Sequence, residues 1–389
     1  MPLCVETEGI AAIGRPGSGK SAIIEGLAAQ ALARGDRVFL LDAKGSLARR
    51  LRRFQPHVLA LRGANTAVWD VGADIVTYLD ALEYATVMIP ESHEPVWSSS
   101  SRLVQAAMIR HCQARYGRAW GWGHLNRMLS LPIPQLEKIV QRRMPEVATL
   151  LKSSGEEPSN AVLSVVLNLV AHVGGLVQTL ARAERRTKRR LSLAAWARGD
   201  GSRAPIILPL DIRYHDQSAA LAQLVVRLLR ANLLDPDVSP GVDHRVWIFL
   251  DELPRIGKDA IGPVQDLASL GRDRGIRTVM TCQSPKQLDD LLGEAGSAAL
   301  RENFGLQIIC RSAGAKTRTP SPKGGSASAP CAGRIGRTAR RASGRQRKFR
   351  PCRRKLSPAI SACISISGDA PSFAPLCSAS RIFLYLNGT

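Results

Sequence analysis

Gly14-Arg15-Pro16-Gly17-Ser18-Gly19-Lys20-Ser21 matches the pattern G-x-x-x-x-G-K-[ST], and its flanks supply the setting that pattern needs. Gly9–Ile13 is a short apolar run suited to a buried parallel strand. Ser21 to Arg34 has the Ala, Leu and Ile content of a helix, which Gly35-Asp36 stops before a second strand, Arg37–Leu41, ending at Asp42. Glycines let the backbone wrap a β-phosphate, while successive N–H groups and the helix N-terminus supply an anion site. Lys20 reaches toward β/γ-phosphates and the Ser21 hydroxyl toward Mg²⁺. A plain glycine-rich turn is the alternative, and the strand before and helix after weigh against it. Gly14, Gly17, Ser18, Gly19, Lys20 and Ser21 are therefore read as a nucleotide-binding loop, with ATP and Mg²⁺ as the cofactors.

Outward from this βαβ start, the pattern predicts a parallel sheet covered by helices. His57–Leu61 reads as a weaker strand. From about Val76 to Arg198 the pattern is helical, in Thr77–Met88, Val96–Tyr116, Pro134–Arg143 and Asn160–Ala183, without a convincing strand. Strands return at Pro205–Leu210, Val246–Leu250, Ile276–Cys282 and Leu306–Cys310, alternating with helices at Ser218–Leu234 and Ala260–Arg274. The fold class is α/β, with an all-α domain (76–200) inserted between two parts (1–75 and 201–314) of one nucleotide-binding domain.

Val246–Leu250 followed by Asp251-Glu252 supplies the second half of the site. A buried strand delivers Asp251 to the sheet edge beside the glycine loop, where it holds Mg²⁺ and Glu252 polarises the attacking water. The 231 residues separating Lys20 from Asp251 exceed what a simple nucleotide kinase core needs and support the large insertion. Gln283 closes the next strand, where it either orients the water or is an ordinary strand-end amide. Asp42 either serves the site or caps a following helix. Arg272 and Arg274 either answer charge on a phosphoryl group across a subunit boundary or form a solvated helix end.

The chain has 389 residues with 54 Lys/Arg against 32 Asp/Glu, a net charge of +22. The excess is uneven: Ala315–Thr389 holds 15 basic residues and one acid, Asp369. Hydrophobic content of 45% excludes a wholly disordered chain. The segment 315–389 is read as a disordered, basic, low-complexity tail, with a frameshifted terminus as the preferred origin and a nucleic-acid arm as the alternative. The eight cysteines show neither CxxC pairs nor zinc spacing, and no basic region followed by an apolar run opens the chain. A reducing, cytoplasmic compartment is the expectation. Ser159–Ala181 carries no Asp, Glu, Lys or Arg over 23 residues, but its Asn160, Asn168, His172 and Gln178 fit a core helix better than a membrane span.

With these residues assembled, the chain resembles the conjugative type IV coupling proteins of the TraD/TrwB kind, ring-forming ATPases similar to RecA and FtsK motors. Pro2-Leu3 with Glu8, ARGDRVFLLDAKG (33–45), Trp69-Asp70, and Val96-Trp97 with Arg102 match in order. VWIFLDELPRIGK (246–258) and LASLGRDRGIRTVMTCQSPKQL (267–288) are the most specific blocks, and the likeness covers about residues 2–314. The resemblance implies a RecA-like fold and an ATP-hydrolysing, DNA-stimulated translocase that delivers DNA to a type IV secretion channel. It makes Lys20 and Ser21 the phosphate and Mg²⁺ ligands, Asp251 a metal ligand and Glu252 the water-activating acid. Gln283 becomes a γ-phosphate-linked residue and Arg272 a contact in trans. Implied partners are single-stranded DNA bound without sequence preference, five further copies in a homo-hexamer, a relaxase and secretion components. Relatives sit at the cytoplasmic face of the bacterial inner membrane through an N-terminal anchor that this sequence is expected to lack. A nucleotide-binding adaptor that recruits a relaxase or effector without pumping, or an inactive remnant, is the alternative. Arg110, Arg115 and Arg118 are candidates for a DNA track, against a solvated helix face.

Overall fold

The computed structural model describes residues 6–63, 66–151, 158–237, 245–310 and 383–386. The chain opens as β1 (Ile10–Ile13), α1 (Lys20–Ala33), β2 (Arg37–Asp42), α2 (Leu47–Arg50), β3 (His57–Val58) and β4 (Val68–Trp69). A helical stretch follows: α3 (Val71–Asp74), α4 (Tyr78–Met88), α5 (Pro95–Tyr116), α6 (Trp122–Leu129), α7 (Ile133–Arg143) and α8 (Asn160–Arg186). The chain then returns through β5 (Arg190–Leu191), α9 (Leu193–Arg198), β6 (Ile206–Pro209), α10 (His215–Leu233), β7 (Val246–Leu250) and α11 (Ile261–Ser269). It ends in β8 (Ile276–Cys282), α12 (Pro285–Glu302), β9 (Leu306–Ile309) and β10 (Phe383–Leu386).

Eight strands form the main sheet in the order β10-β9-β1-β8-β7-β2-β6-β3, and only the β10–β9 pair is antiparallel. Both faces are covered, so the central strands read as continuous apolar runs rather than alternating ones. The period of two still sorts them. Ile10, Ala12, Val38, Leu40, Trp247 and Phe249 pack toward α1, whereas Ala11, Ile13, Phe39, Leu41, Ile248 and Leu250 join the larger core on the other face.

The helical insertion springs from a separate two-stranded parallel ladder, Val68–Trp69 on Arg190–Leu191. Asp74 ties this neck together. Its carboxylate accepts from the Trp69 indole at 2.7 Å, the Ser192 hydroxyl at 2.5 Å and the Leu193 N–H at 2.8 Å. Helix α4 starts where Thr77 and Asp80 cap each other's backbone N–H groups, at 3.1 and 2.7 Å. Pro95 stands at the start of α5, where its missing N–H costs nothing. Helix α8 alone among the described residues is long and apolar enough to cross a membrane. Its stripe Val162, Val165, Leu169, Val173, Leu176 and Leu180 is buried in the larger core cluster, while Leu163, Leu167 and Val170 on its other side are exposed.

Four expectations need correction. Arg190–Leu191 is a strand inside the stretch read as wholly helical. The strand at His57 is two residues long. The helix expected to run to Arg274 ends at Ser269 and gives way to a 3₁₀ turn, Arg272–Arg274, with Gly275 at φ 73°. Within the segment read as structureless, Phe383–Leu386 pairs antiparallel with Leu306–Ile309, because the outer edge of β9 offers unpaired backbone groups to an apolar run. The reading of the rest of 315–389 lies outside the described residues.

Candidate nucleotide site

Because β1 through β9 of the main sheet run parallel, their C-terminal ends share one edge, where ligands of open α/β sheets bind. The glycine loop leaves β1 there. A side chain at Gly14 would put its Cβ 2.6 Å from Cys310 Cβ and 2.8 Å from Ser18 Oγ, so only glycine fits. Gly17 and Gly19 stand at φ 79° and 97°, with open space where a Cβ would be. Lys20 begins α1 and is buried, its ammonium donating to the carbonyls of Gly14 and, at 3.2 Å, Arg15. Ser21 follows at the next helical position, half-buried.

Strand β7 lies two places from β1 and delivers Asp251 and Glu252, both buried, to the same edge. Thr281 on the intervening β8 organises them. Its hydroxyl donates to Asp251 Oδ1 at 3.0 Å and accepts from the Glu252 N–H at 2.9 Å. Glu252 has a left-handed backbone, φ 55°, uncommon for a side-chain-bearing residue. Strain of this kind concentrates at functional sites.

Asp251 Oδ2 and Glu252 Oε1 are buried without a hydrogen-bond partner. Buried carboxylate oxygens left this way are costly, and a cation with its bound water is the kind of group that satisfies them. The residues therefore fit Mg²⁺. Burial raises the pKa of both carboxyls: the Asp42 charge adds to the effect at Asp251, and Lys20 opposes it at both. Gln283 lies where it favours the charged form of Glu252, while its backbone N–H donates to Gln287 Oε1 at 2.9 Å. The Cys282 thiol is pushed up to about 12 by burial and stays protonated at neutral pH.

Asp42 caps the next turn, accepting from the Lys44 and Leu47 N–H groups at 3.2 and 2.6 Å. Its ordinary capping role is the one the geometry displays. Arg272 is not brought to this site. It precedes β8 and so lies at the opposite edge, paired with Glu8 at 2.6 Å. Arg274 is there too, donating to the Asp235 carbonyl at 2.6 Å. Thr281 escaped the sequence reading because a threonine inside a strand has no signature of its own. Lys44, whose charge favours both carboxylates, stood in the sequence only as the neighbour of Asp42.

A glycine loop, a buried lysine at the following helix and an acid pair two strands away on one parallel edge define a P-loop nucleotide-binding fold of the ATPase class. Within that class, the chain belongs to the family of type IV secretion-system coupling protein DNA-binding domains, whose model matches residues 1–323. It is 25% identical over 307 residues to the coupling protein TraD of Escherichia coli (strain K12), a match covering 77% of this chain and 41% of that protein. The chain thus spans about two fifths of that relative's length. The fold is shared with the bacterial conjugative coupling protein TrwBdeltaN70: TM-score 0.64 and 23% identity over 79% of this chain and 70% of that one. TrwB in complex with ADP and Mg²⁺ matches with TM-score 0.63 and 22% identity, covering 79% of this chain and 71% of that one. VirB4 of Thermoanaerobacter pseudethanolicus shares the fold more distantly, with TM-score 0.53 and 12% identity over 77% and 76% of the two chains.

Proposed function

We propose that this chain is the ATP-hydrolysing, DNA-moving part of a conjugative coupling protein, delivering DNA to a type IV secretion channel. The observation that carries the reading is the pair of unpartnered carboxylate oxygens on Asp251 and Glu252, set beside Lys20 in a member of a coupling-protein family. The loop amides from Gly14 to Gly19 and the Lys20 ammonium hold the phosphates. Ser21 and Asp251 would hold Mg²⁺, which when bound would offset the charge on the phosphate oxygens. Glu252 takes a proton from the attacking water as the water oxygen bonds to the γ-phosphorus and the bond to the ADP oxygen breaks. Its raised pKa makes it a stronger base than an exposed glutamate. Gln283, beside Glu252, orients the same water.

The location of Arg272 away from its own nucleotide edge fits a contact made in trans, within a homo-hexamer. DNA is held through its phosphates without sequence preference, single strands being preferred. A relaxase and secretion components are the partners, at the cytoplasmic face of the membrane. The deciding experiment is ATP hydrolysis by residues 1–389 with and without single-stranded DNA, beside Lys20→Ala and Glu252→Gln, each checked for folding by circular dichroism. Turnover that rises with DNA and vanishes in both variants is the expected result. A folded chain that binds ATP without turnover at any DNA concentration would instead point to a nucleotide-binding adaptor.

A further inference from the structure

Along the nucleotide edge, four strands from β1, the chain leaves β6 through a short exposed loop, Asp211 to Tyr214, before α10. At about 4.8 Å per strand this is roughly 19 Å from the glycine loop. Ile212, Arg213 and Tyr214 all face solvent, Ile212 being 75% exposed. Ile212 and Tyr214 thus present an apolar and an aromatic side chain to solvent two positions apart. The Arg62 guanidinium lies 5.2 Å and that of Arg213 5.6 Å from the Tyr214 ring centroid. Asp211 holds the assembly in place from beneath. It accepts twice from Arg62, at 2.6 and 2.9 Å, and from the Arg213 and Tyr214 N–H groups at 2.9 and 3.3 Å. A cleft of about 420 Å³ opens beside it, between Leu61, Arg62, Leu210 and Ile212.

We infer that this loop is a contact for single-stranded nucleic acid, with bases stacking on the Tyr214–arginine layer and the guanidinium groups meeting phosphates. Planar aromatic and guanidinium faces accept any base, and a cationic surround tracks the backbone. A duplex keeps its bases stacked internally and would use only the charges. The inference rests on the DNA-moving reading above and assigns it a place. That place is also connected to the chemistry. The Asp211 N–H donates to Ser218 Oγ at 3.1 Å on α10, and further along the same helix Gln223 donates to the Ile256 carbonyl at 2.7 Å, four residues beyond Glu252. A strand seated on the loop therefore bears on the helix that props the segment after the acid pair.

The test uses the full chain, a fluorescent thirty-nucleotide oligo-dT and its duplex, anisotropy at several salt concentrations, and fluorescent-ATP binding as an independent check of the nucleotide site. Tyr214→Ala is expected to weaken oligo-dT binding about tenfold, in line with about 1–3 kcal/mol per stacked base, while duplex and nucleotide binding stay unchanged. Arg213→Ala is expected to flatten the slope of log K against log salt by about 0.7. A halogenated-uracil oligonucleotide photocrosslinked to the unaltered chain should mark Tyr214, which tests the contact without any substitution. Equal binding and equal salt slopes in both variants, or crosslinks that all fall elsewhere, would overturn the loop assignment alone. Failure of the unaltered chain to bind oligo-dT at all would overturn the DNA reading, and this inference with it.

Discussion

The Thr281 hydroxyl sits between two consecutive acids, donating to Asp251 Oδ1 at 3.0 Å while accepting from the N–H of Glu252. One side chain thereby fixes the orientation of one acid and the left-handed backbone of the other. Thr281→Val keeps the shape and removes both bonds, leaving a buried N–H without an acceptor. The expected cost is about 2 kcal/mol of stability and at least a tenfold fall in turnover, with Thr281→Ser restoring most of both. Denaturant unfolding and steady-state hydrolysis read the two effects separately.

As the proposed base, Glu252 must be ionised to accept a proton, and burial raises its pKa. Turnover should fall as pH is lowered through that raised value, and the acidic limb should vanish with the residual activity of Glu252→Gln. Loss of the base should cost about 10²- to 10⁴-fold in rate. Stability moves the other way. A carboxyl whose folded pKa is raised binds more protons folded than unfolded, so the nucleotide-free chain gains stability as pH falls through the raised value. Thermal melting across pH 4 to 8 checks the sign, and Glu252→Gln should melt higher than the parent at neutral pH.

Replacing Asp74 by alanine strips the acceptor from the Trp69 indole, the Ser192 hydroxyl and the Leu193 N–H at once. About 3 kcal/mol should be lost, felt first where the insertion joins the sheet. Hydrogen exchange at residues 190–195 would report it; protection equal to the parent's would contradict the role given to this carboxylate.

Gln223 belongs to neither the glycine loop nor the exposed loop, yet its amide holds the Ile256 carbonyl. Gln223→Ala should leave hydrolysis without DNA close to that of the parent and oligo-dT affinity intact, while reducing stimulation by DNA several-fold. Stimulation as strong as in the parent would show that α10 does not carry the connection.

Gly14→Ala forces a methyl against Cys310 Cβ and Ser18 Oγ, at 2.6 and 2.8 Å. Fluorescent-ATP binding should weaken by two orders of magnitude or more. The same change at Gly26, on the open face of α1 with nothing within 4 Å, should be neutral or slightly stabilising, through helix propensity.

What the sequence disclosed follows from how local each feature is. Val246–Leu250 is wholly apolar and Ile276–Cys282 is apolar or β-branched apart from Arg277, and both emerge with the bounds their patterns predict. The glycine loop is legible because its chemistry is contiguous. Two-residue strands such as Val68–Trp69 show no period at all, and they pair only because a distant segment comes alongside. Helix Pro285–Glu302 is interrupted at Gly293, φ 74°, which blurs its apolar stripe. The Asp74 knot joins residues more than a hundred positions apart, and no spacing rule reaches that far. Arg272 was legible as a cation between two motifs; which edge of the sheet it occupies required the strand order.

The parallel sheet makes its two edges chemically unlike: one holds the glycine loop and acid pair, the other Arg272 and its Glu8 partner. In a two-fold dimer the contact is mutual: whatever Arg272 of one copy meets, Arg272 of the other meets as well, so both edges would have to share one interface. A head-to-tail arrangement instead carries the second edge of one copy to the first edge of the next through a single contact, and such contacts either close into a ring or grow as an open helix. The polarity of the strands thus fixes what each symmetry would have to bring together in any assembly that uses Arg272.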